Sequence, residues 1–285
     1  MDKLGPKPTK AYKSSEFLGS REARQIRVLC EMNETESRLK SNGIEGTVLF
    51  FGSARSRTRA DFEIKLKAME EAGEDTSRFT KTRFMCEYHE KLILLSSKVA
   101  RLLEQERFKT IGILTGGGPG MMEAANEGAF AVNQNKSIGM GISLPFEPSL
   151  NPYVTPELAF EYHYFFTRKF WMVYQAMALI VAPGGVGTMD ELFEVMTLQQ
   201  CGKIKNKFPI ILFGKSYWQT VVNWDYLVEC GTVAQSDVDS LFFTDDVDEA
   251  FEKIQKGLEE QVAKGSYIHG FRSREGTPKK KQKLV

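Results

Sequence analysis

The sequence predicts an α/β fold built on a single doubly wound parallel sheet with helices on both of its faces. Short, wholly apolar segments alternate with longer amphipathic segments from residue 47 to about residue 262. This alternation is typical of parallel strands that helices cover on both sides. Several of the apolar segments also end in glycine-rich turns, as strands do where they lead into helices. The length of 285 residues is compatible with one large domain of this kind.

The predicted elements follow one another regularly along the chain. Residues 1–26 are polar and are expected to form a loose arm, 27–41 a possible helix, and 55–80 a charged, partly helical insertion. Strands are predicted at 47–51, 111–114, 137–142, 158–162, 179–182 and 209–213. Helices are predicted, from apolar spacings of three and four residues, at 82–105, 120–133, 165–177, 188–201, 216–229 and 246–262. We therefore expect an N-terminal arm (1–44), a Rossmann-like domain (45–264) and a basic disordered tail (265–285).

The formal net charge of +1 conceals an uneven distribution of charge. Residues 45–264 carry 23 Lys and Arg against 30 Asp and Glu, a net charge of −7. Residues 1–44 carry nine against six, and residues 265–285 carry six against one. An acidic domain repels a nucleic-acid backbone over most of its surface, so no nucleic-acid partner is expected. No apolar run approaches the roughly 18 residues of a membrane span, so no membrane partner is expected either.

The cysteines and histidines are scattered, and the sequence contains no CxxC pair. This pattern argues against a disulfide framework and against a metal site. The N-terminus has no apolar signal region, and a cytoplasmic location is the expectation. Nuclear or organellar targeting by the basic ends stays open, since residues 278–283 resemble a nuclear-localisation cluster. A solvated, disordered end is the favoured interpretation of those residues.

Three glycine-rich loops are predicted at the carboxyl ends of strands: Gly52-Ser53, Thr115 to Gly120, and Pro183 to Thr188. Ligands of open α/β sheets bind at that edge, and free amides at a helix N-terminus attract phosphate. One such loop is most simply a tight turn, but three at one edge favour a binding site.

The common nucleotide-binding fingerprints are absent. A GxGxxG motif starting at Gly116 or Gly185 would need glycine or alanine at Met121 or Asp190, and no GxxxxGK[ST] is present. A dinucleotide site and a P-loop NTPase are therefore not supported. The sequence favours one phosphate group on a smaller molecule, such as a nucleoside monophosphate, and no cofactor is expected.

Two pairs of polar residues have both a structural and a functional interpretation. Thr188 and Glu191 have the spacing of a capping box at a helix start, but Glu191 could instead lie over the ligand. A single well-placed carboxylate suits an oxocarbenium-like transition state. Arg168-Lys169 lies in the apolar stretch 165–172. The pair is either a surface charge pair on a helix or a pair of cations that face the ligand.

The motifs resemble those of the Lonely Guy family, which comprises nucleoside 5′-monophosphate phosphoribohydrolases that activate cytokinins and was long labelled as lysine decarboxylases. Residues 183–191, PGGVGTMDE, fit its PGGxGTxxE motif, and residues 115–124, TGGGPGMMEA, fit its second glycine motif. Arg168-Lys169 stands where the family has its Arg-Lys pair, 23 residues before Glu191. The resemblance covers about 45–262. The segments 144–147, 151–153 and 164–166 are similar to the longer, bacterial-type branch.

The resemblance implies hydrolysis of an N-glycosidic bond, without a metal, to free base and ribose 5-phosphate. It implies Arg168 and Glu191 as the catalytic pair and a homodimer or higher homo-oligomer as the assembly. The residues expected to bind the phosphate and the nucleotide are Gly52, Ser53, Gly117, Gly118, Lys169, Pro183, Gly184, Gly185, Gly187 and Thr188.

Two departures and one alternative accompany the resemblance. The insertion 55–80 is longer than in short members and bears on substrate choice, and the basic ends lie outside the family core. A decarboxylase would need a lysine that binds pyridoxal phosphate, for which Lys169 is only a weak candidate. The alternative is a carrier that binds a phosphorylated ligand, such as molybdenum cofactor, without turnover; retention of Arg168 and Glu191 favours the enzyme.

Overall fold

The sheet is the centre of the molecule. The computed structural model describes residues 7–143, 149–204 and 207–264. Within them seven strands form one sheet: β1 (Gly46–Phe51), β2 (Ile111–Thr115), β3 (Ser137–Ile142), β4 (Ala159–Tyr162), β5 (Ala176–Val181), β6 (Ile210–Phe213) and β7 (Leu241–Thr244). Every neighbouring pair is parallel. The predicted α/β class with a single parallel sheet is confirmed.

The strand order places a switch point beside β1. The order is β4-β3-β2-β1-β5-β6-β7, so the chain starts in the middle, moves outward to β4, and returns to β5 on the other side of β1. Loops after β1 and β5 therefore leave a crevice between them, because their following helices go to opposite sides. Ligands of doubly wound sheets bind in this crevice.

Helices cover both faces of the sheet. They are α1 (Ser15–Gly19), α2 (Arg24–Ser41), α3 (Arg59–Glu71), α4 (Ser77–Thr80), α5 (Phe84–Leu103), α6 (Met121–Phe130), α7 (Phe165–Tyr174), α8 (Val186–Gln200), α9 (Lys215–Val221), α10 (Trp224–Glu229), α11 (Gln235–Asp239) and α12 (Val247–Ala263). Helices α5, α6 and α12 bury their apolar sides on one face. Helices α2, α7, α8, α9 and α10 do so on the other. The strands β1, β2, β5 and β6 are wholly buried between the two layers, which explains their continuous apolar sequences.

Several elements differ from the prediction. Helix α7 ends at Tyr174 and β5 begins at Ala176, so the strand starts inside the expected helix 165–177. The expected helix 216–229 is two helices, because the side chain of Asn223 accepts the backbone N–H of Tyr226 and starts a new helix there. The strand β7 was not predicted, since it is a four-residue edge strand whose two middle residues are partly exposed. The helix after the third glycine loop begins at Val186, two residues earlier than expected.

The first half of the chain adds two further elements to this core. The insertion contains α3, which Thr58 caps by accepting the N–H of Asp61, and its Phe62 stacks on Phe79 with ring centroids 4.5 Å apart. Helix α2, within residues predicted to belong to the arm, buries Leu39 in the core of the second face. The predicted tail 265–285 and the family-like segment 144–147 lie outside the described residues.

None of the helices in the described ranges combines the length and the apolarity that crossing a bilayer requires.

Candidate active site

The three glycine loops meet at the carboxyl edge of the sheet, and Ser53 joins them. Its N–H donates to the carbonyl of Pro183 at 3.0 Å, and its carbonyl accepts the N–H of Met121 at 3.0 Å. Ser53, shortly after β1, is thus hydrogen-bonded both to the loop after β5 and to the first residue of α6. Because these bonds cross the switch point, the predicted convergence of Gly52-Ser53 with the two longer loops is present.

The third loop, Pro183 to Thr188, runs directly into the first turn of α8. Pro183 and Gly184 are buried, whereas Gly185, Val186 and Gly187 are exposed, Val186 to 85%. A helix leaves its first backbone N–H groups without intrahelical partners and carries a partial positive charge at that end. The exposed start of α8 can therefore bind an anion.

Two glycines of this loop have no structural need to be glycine. A Cβ atom added at Gly185 or Gly187 would have no atom within 4 Å, and neither residue has a positive φ. Gly184 is different, because Thr188 packs so closely over it that an added Cβ would lie 2.2 Å from Oγ1. Because these two residues lack side chains, the backbone at the start of α8 is open to close approach.

Tyr217 supports this loop from outside. Its hydroxyl donates to the carbonyl of Gly184 at 2.7 Å, and its ring stacks on Phe84 at 5.8 Å. Gly214, at a φ of 109°, allows Pro183 to pack against the start of α9. This role of Tyr217 could not be predicted from the sequence, because a tyrosine gives no local signal of such a hydroxyl contact.

A buried network of side-chain amides, which the sequence did not predict, holds the second loop. Asn151 donates its side-chain N–H groups to the carbonyls of Gly117 and Gly118, at 3.0 and 3.1 Å, and to Oδ1 of Asn126, at 2.9 Å. Thr115 donates to the same Oδ1 and accepts the N–H of Gly117 at 2.8 Å. The one available signal was Asn126, a polar residue with low helix propensity in the middle of an apolar helix. The network holds Gly117 and Gly118 in place, with Gly117 at a φ of 73°.

Arg168 and Glu191 form a nearly buried ion pair at this edge. Nη1 of Arg168 donates to Oε1 of Glu191 at 3.1 Å, and the side chains are only 9% and 15% exposed. Nε of Arg168 donates to the carbonyl of Met140 at 2.6 Å, which fixes the guanidinium plane. The interpretation of Arg168 as an exposed surface charge is wrong, because α7 directs it toward the loops.

Gly116 makes room for this arginine. A Cβ atom added to Gly116 would lie 2.5 Å from Nη2 of Arg168 and 2.7 Å from Sδ of Met122. The backbone of the second glycine loop therefore passes directly against the guanidinium. A cavity of about 370 Å³ adjoins the same loop and is lined by Gly116, Gly118, Leu150, Phe160 and their neighbours.

Burial dominates the electrostatics of Glu191. Burial raises the pKa of this carboxyl above its ordinary value, while the positive charges of Arg168 and Lys169 act in the opposite direction. Glu191 can therefore accept a proton at a higher pH than an exposed glutamate does. The capping-box interpretation of Thr188 and Glu191 is wrong, because α8 begins at Val186, Thr188 is not the capping residue, and Glu191 contacts Arg168.

Lys169 lies between two carboxylates of α8. Its Nζ is 2.7 Å from both Asp190 and Glu194. Burial alone would lower the pKa of Lys169, but hydrogen bonds to these carboxylates outweigh it and raise the pKa. In this structure Lys169 ties α7 to α8, and its predicted contact with a nucleotide stays a prediction.

Helix α2 braces the segment that carries Arg168. The carboxylate of Glu31 accepts the N–H of His163 at 2.8 Å and the hydroxyl of Thr167, the residue before Arg168. The hydroxyls of Thr35 and Tyr162 lie 2.7 Å apart in the same interface. The start of α7 is thus held by polar contacts from a helix more than a hundred residues earlier in the chain.

Metal ligands are not grouped in the described part of the chain: no three His, Cys, Asp or Glu side chains are placed to hold an ion.

Gly52, unlike Gly185 and Gly187, has a packing reason to be glycine, since an added Cβ would lie 2.6 Å from Cβ of Met121.

Comparisons with known proteins find one family whose model matches part of the chain. Residues 122–254 match the family model described as possible lysine decarboxylase. This match spans just under half of the chain. No curated protein matches the sequence.

Two solved structures are similar at low identity. One is a protein designated TM1055, with 18% identity, a TM-score of 0.42, and coverage of 74% of this chain and 99% of the other. The second is a molybdenum cofactor binding protein from the phototrophic bacterium Rippkaea orientalis, with 14% identity, a TM-score of 0.42, and coverage of 74% and 94%.

The matched residues include Arg168 and the whole PGGVGTMDE segment, and the fold brings these residues together at one edge. Lysine decarboxylase is the older description of the proteins that this motif characterises. Over residues 122–254 the chain is therefore similar to this family, whose motifs are those of the Lonely Guy proteins.

Proposed function

We propose that the protein hydrolyses the N-glycosidic bond of a nucleoside 5′-monophosphate to free base and ribose 5-phosphate. The observation that carries the proposal is the Arg168–Glu191 pair, 3.1 Å apart and nearly buried, beside the exposed N-terminus of α8. This arrangement supplies an anion site and a shielded carboxylate within one crevice, which are the two groups that such a reaction needs.

The phosphate would bind at the start of α8. The free N–H groups of the first turn offer donors, and Gly185 and Gly187 leave the space in front of them open. The 5′-phosphate is remote from the bond that breaks, so its binding energy serves to position the ribose against Glu191.

Glu191 would act on the ribose carbon that bears the base. As the bond between C1′ and the base nitrogen breaks, its electron pair leaves with the base, and positive charge develops on C1′ and the ring oxygen. The carboxylate stabilises that charge and accepts a hydrogen bond from the attacking water. The water adds its oxygen to C1′, and its proton ends on the departing base, so no other reactant is needed.

Arg168 would position both partners of this step. Its Nε and Nη1 are already engaged by Met140 and Glu191, which leaves Nη2 beside Gly116 and the nucleotide crevice. A fixed guanidinium there orients Glu191 and can donate a hydrogen bond to the base as negative charge develops on it.

Decarboxylation through a lysine-bound cofactor is not supported by the site. A lysine must lose its proton to form a Schiff base. Lys169 is instead held between Asp190 and Glu194, which raise its pKa and keep it charged.

A panel of nucleoside monophosphates tests the proposal. Purified full-length protein should release base from at least one member of a panel of purine, pyrimidine and cytokinin riboside monophosphates. Glu191→Gln should abolish release while monophosphate binding persists, and the exposed Glu229→Gln should behave as the unmodified chain. Tight binding of a phosphorylated ligand with no base released from any substrate would establish a carrier instead.

The start of the insertion lies close enough to the second glycine loop to influence which base the protein prefers. Ala54 lies against Gly120 of the second loop, where an added Cβ would approach its carbonyl carbon to 2.7 Å. Arg55 and Arg57 follow directly and are exposed. Exchanging both for alanine should change the ranking of bases in the same panel more than it changes the maximal rate.

We also propose a homodimer that uses the exposed start of α7. Phe165 and Phe166 are 55% and 60% exposed and lie two or three residues before Arg168. Apolar aromatics beside a site are typical of a covered surface. Sedimentation should show a dimer that Phe166→Glu dissociates; an unchanged dimer in this variant would place the interface elsewhere.

A reducing compartment such as the cytoplasm is proposed as the location. The four cysteines are free thiols, and Cys30, Cys201 and Cys230 are exposed, which suits a compartment where thiols stay reduced. Fractionation of cells that express the full chain tests this location.

A further inference from the structure

A basic cavity opens at the opposite edge of the sheet from the glycine loops. It has a volume of about 210 Å³ and lies where β6 and β7 begin and α12 ends. Four lysines line it, Lys207, Lys253, Lys256 and Lys264, and Glu260 is the one acidic residue in its described lining. We call it the lysine pocket. The lysine pocket lies at the start of β6 and the glycine loops lie at the carboxyl ends of the strands. The four residues of β6 span about 13 Å, at roughly 3.3 Å per residue. The pocket is therefore distinct from the proposed catalytic crevice.

The charge of the lysine pocket is unusual for this domain. Residues 45–264 carry a net charge of −7, and five lysines elsewhere on the domain surface have carboxylate partners. No ion pair to any of the four pocket lysines occurs among the described residues. Gathering unpaired like charges in a concave place is unfavourable by itself, and a bound anion relieves it.

The placement of these lysines follows the helical repeat of α12. Three of the lysines lie on one face of α12, because Lys256 and Lys264 follow Lys253 by three and eleven residues. A lysine at the end of a helix is explained by the helix dipole alone. That accounts for Lys264 but not for Lys253 in the middle of α12, nor for Lys207 ahead of β6.

The floor of the pocket is rigid. Gly257 lets α12 lie directly on Pro209, since an added Cβ would be 2.5 Å from Cγ of that proline. Gln261 is buried and donates to the carbonyl of Met177 at the start of β5. The ammonium of Lys253 lies 5.3 Å from the centre of the Phe242 ring, which restricts its position. A preformed cavity loses little entropy when a ligand binds.

We propose that the lysine pocket binds a pyrophosphate group, either free or as part of a nucleoside di- or triphosphate. Four ammonium groups match several negative charges in a small volume better than they match a single carboxylate. Lysine acts as a point charge on a flexible stem and suits the tetrahedral oxygens of linked phosphates. At about 210 Å³ the cavity is smaller than the 300–1,000 Å³ typical of sites for whole drug-sized ligands, so the phosphates enter it and any nucleoside stays outside.

Calorimetric titration of the full-length protein with sodium pyrophosphate tests the proposal. Lys253→Ala/Lys256→Ala should weaken pyrophosphate binding by about tenfold or more, about 1.4 kcal/mol. Lys65→Ala/Lys67→Ala in α3 removes the same charge from an exposed helix face and should leave it unchanged. Circular dichroism melts establish that both variants are folded.

The assignment would be overturned by no binding to the unmodified chain, by an equal loss in the two double variants, or by orthophosphate binding as tightly as pyrophosphate. Loss of pyrophosphate binding in Arg168→Gln, with Lys253→Ala/Lys256→Ala unaffected, would move the site to the catalytic crevice. Because the readout is binding of pyrophosphate, the proposal stands or fails independently of nucleotide hydrolysis.

Discussion

Gly116→Ala is expected to separate the position of Arg168 from the stability of the fold. The added Cβ would lie 2.5 Å from Nη2 of Arg168. Non-bonded heavy atoms normally approach each other no closer than about 3.5 Å. The guanidinium must therefore move by about 1 Å. A displacement of that size at a reacting site costs on the order of 100-fold in rate, equal to about 2.7 kcal/mol.

The loss of stability in this variant should be small enough for the protein to remain folded. The atoms within 3 Å of the added Cβ, Nη2 of Arg168 and Sδ of Met122, are near the ends of side chains rather than backbone, and Gly116 does not have a positive φ. Overpacking of this kind costs about 1–3 kcal/mol. The variant should therefore fold and melt a few degrees lower.

The assay measures base release from the best substrate of the monophosphate panel, with a melting curve on each sample. Gly19→Ala is the control, because an added Cβ there meets no atom within 4 Å. Gly116→Ala/Met122→Ala removes the contact with sulfur and leaves the contact with Arg168 alone. If the folded Gly116→Ala variant keeps its catalytic rate within a few-fold, then the position of Arg168 does not limit the reaction.

Three further predictions test the anion site, the contact between α2 and α7, and the buried His89 of α5. Gly187→Ala should leave the melting temperature unchanged, because its Cβ meets no atom, yet raise KM about tenfold by narrowing the anion site; an unchanged KM would place the phosphate elsewhere. Glu31→Gln should cost about 1–2 kcal/mol in urea unfolding and lower kcat through the start of α7, and a normal kcat would show that α7 is held without it. Burial lowers the pKa of His89, so below about pH 6.5, where an unfolded histidine is protonated, the unfolded state binds more protons and stability falls as the pH falls. His89→Gln should therefore melt with less change between pH 7.5 and 5.5 than the unmodified chain, and an equal change in both would assign the pH dependence to other groups.

Much of the architecture could be predicted from local sequence. The continuous apolar segments of β1, β2, β5 and β6 are buried on both faces and carry no alternation, which is typical of central parallel strands. The edge strand β7 was not predicted, because it has only four residues and its two middle residues are partly exposed. Asn223 divides α9 from α10 by a cap that competes with the apolar spacing of a single helix.

The individual site residues were predicted unevenly. Arg168 and Glu191 were named from motif spacing, and they meet at 3.1 Å. The partners of Lys169 on α8, the network around Asn151 and the hydroxyl of Tyr217 were not foreseen, because each contact joins residues on separate elements. Gly116 was recognised as part of a motif, but its reason for being glycine depends on an arginine 52 residues later.

The sequence by itself determined the sheet class, the three glycine loops at one edge and the pair of charged residues, because hydrophobic periodicity and short motifs are local properties. Only the tertiary structure decided which glycines face open space and which face a neighbour, that Glu31 braces α7, and that four lysines gather around a cavity at the far edge. Those properties depend on distances between residues far apart in the chain. Such distances are set by packing of the helices on the twisted sheet, and local sequence does not encode them.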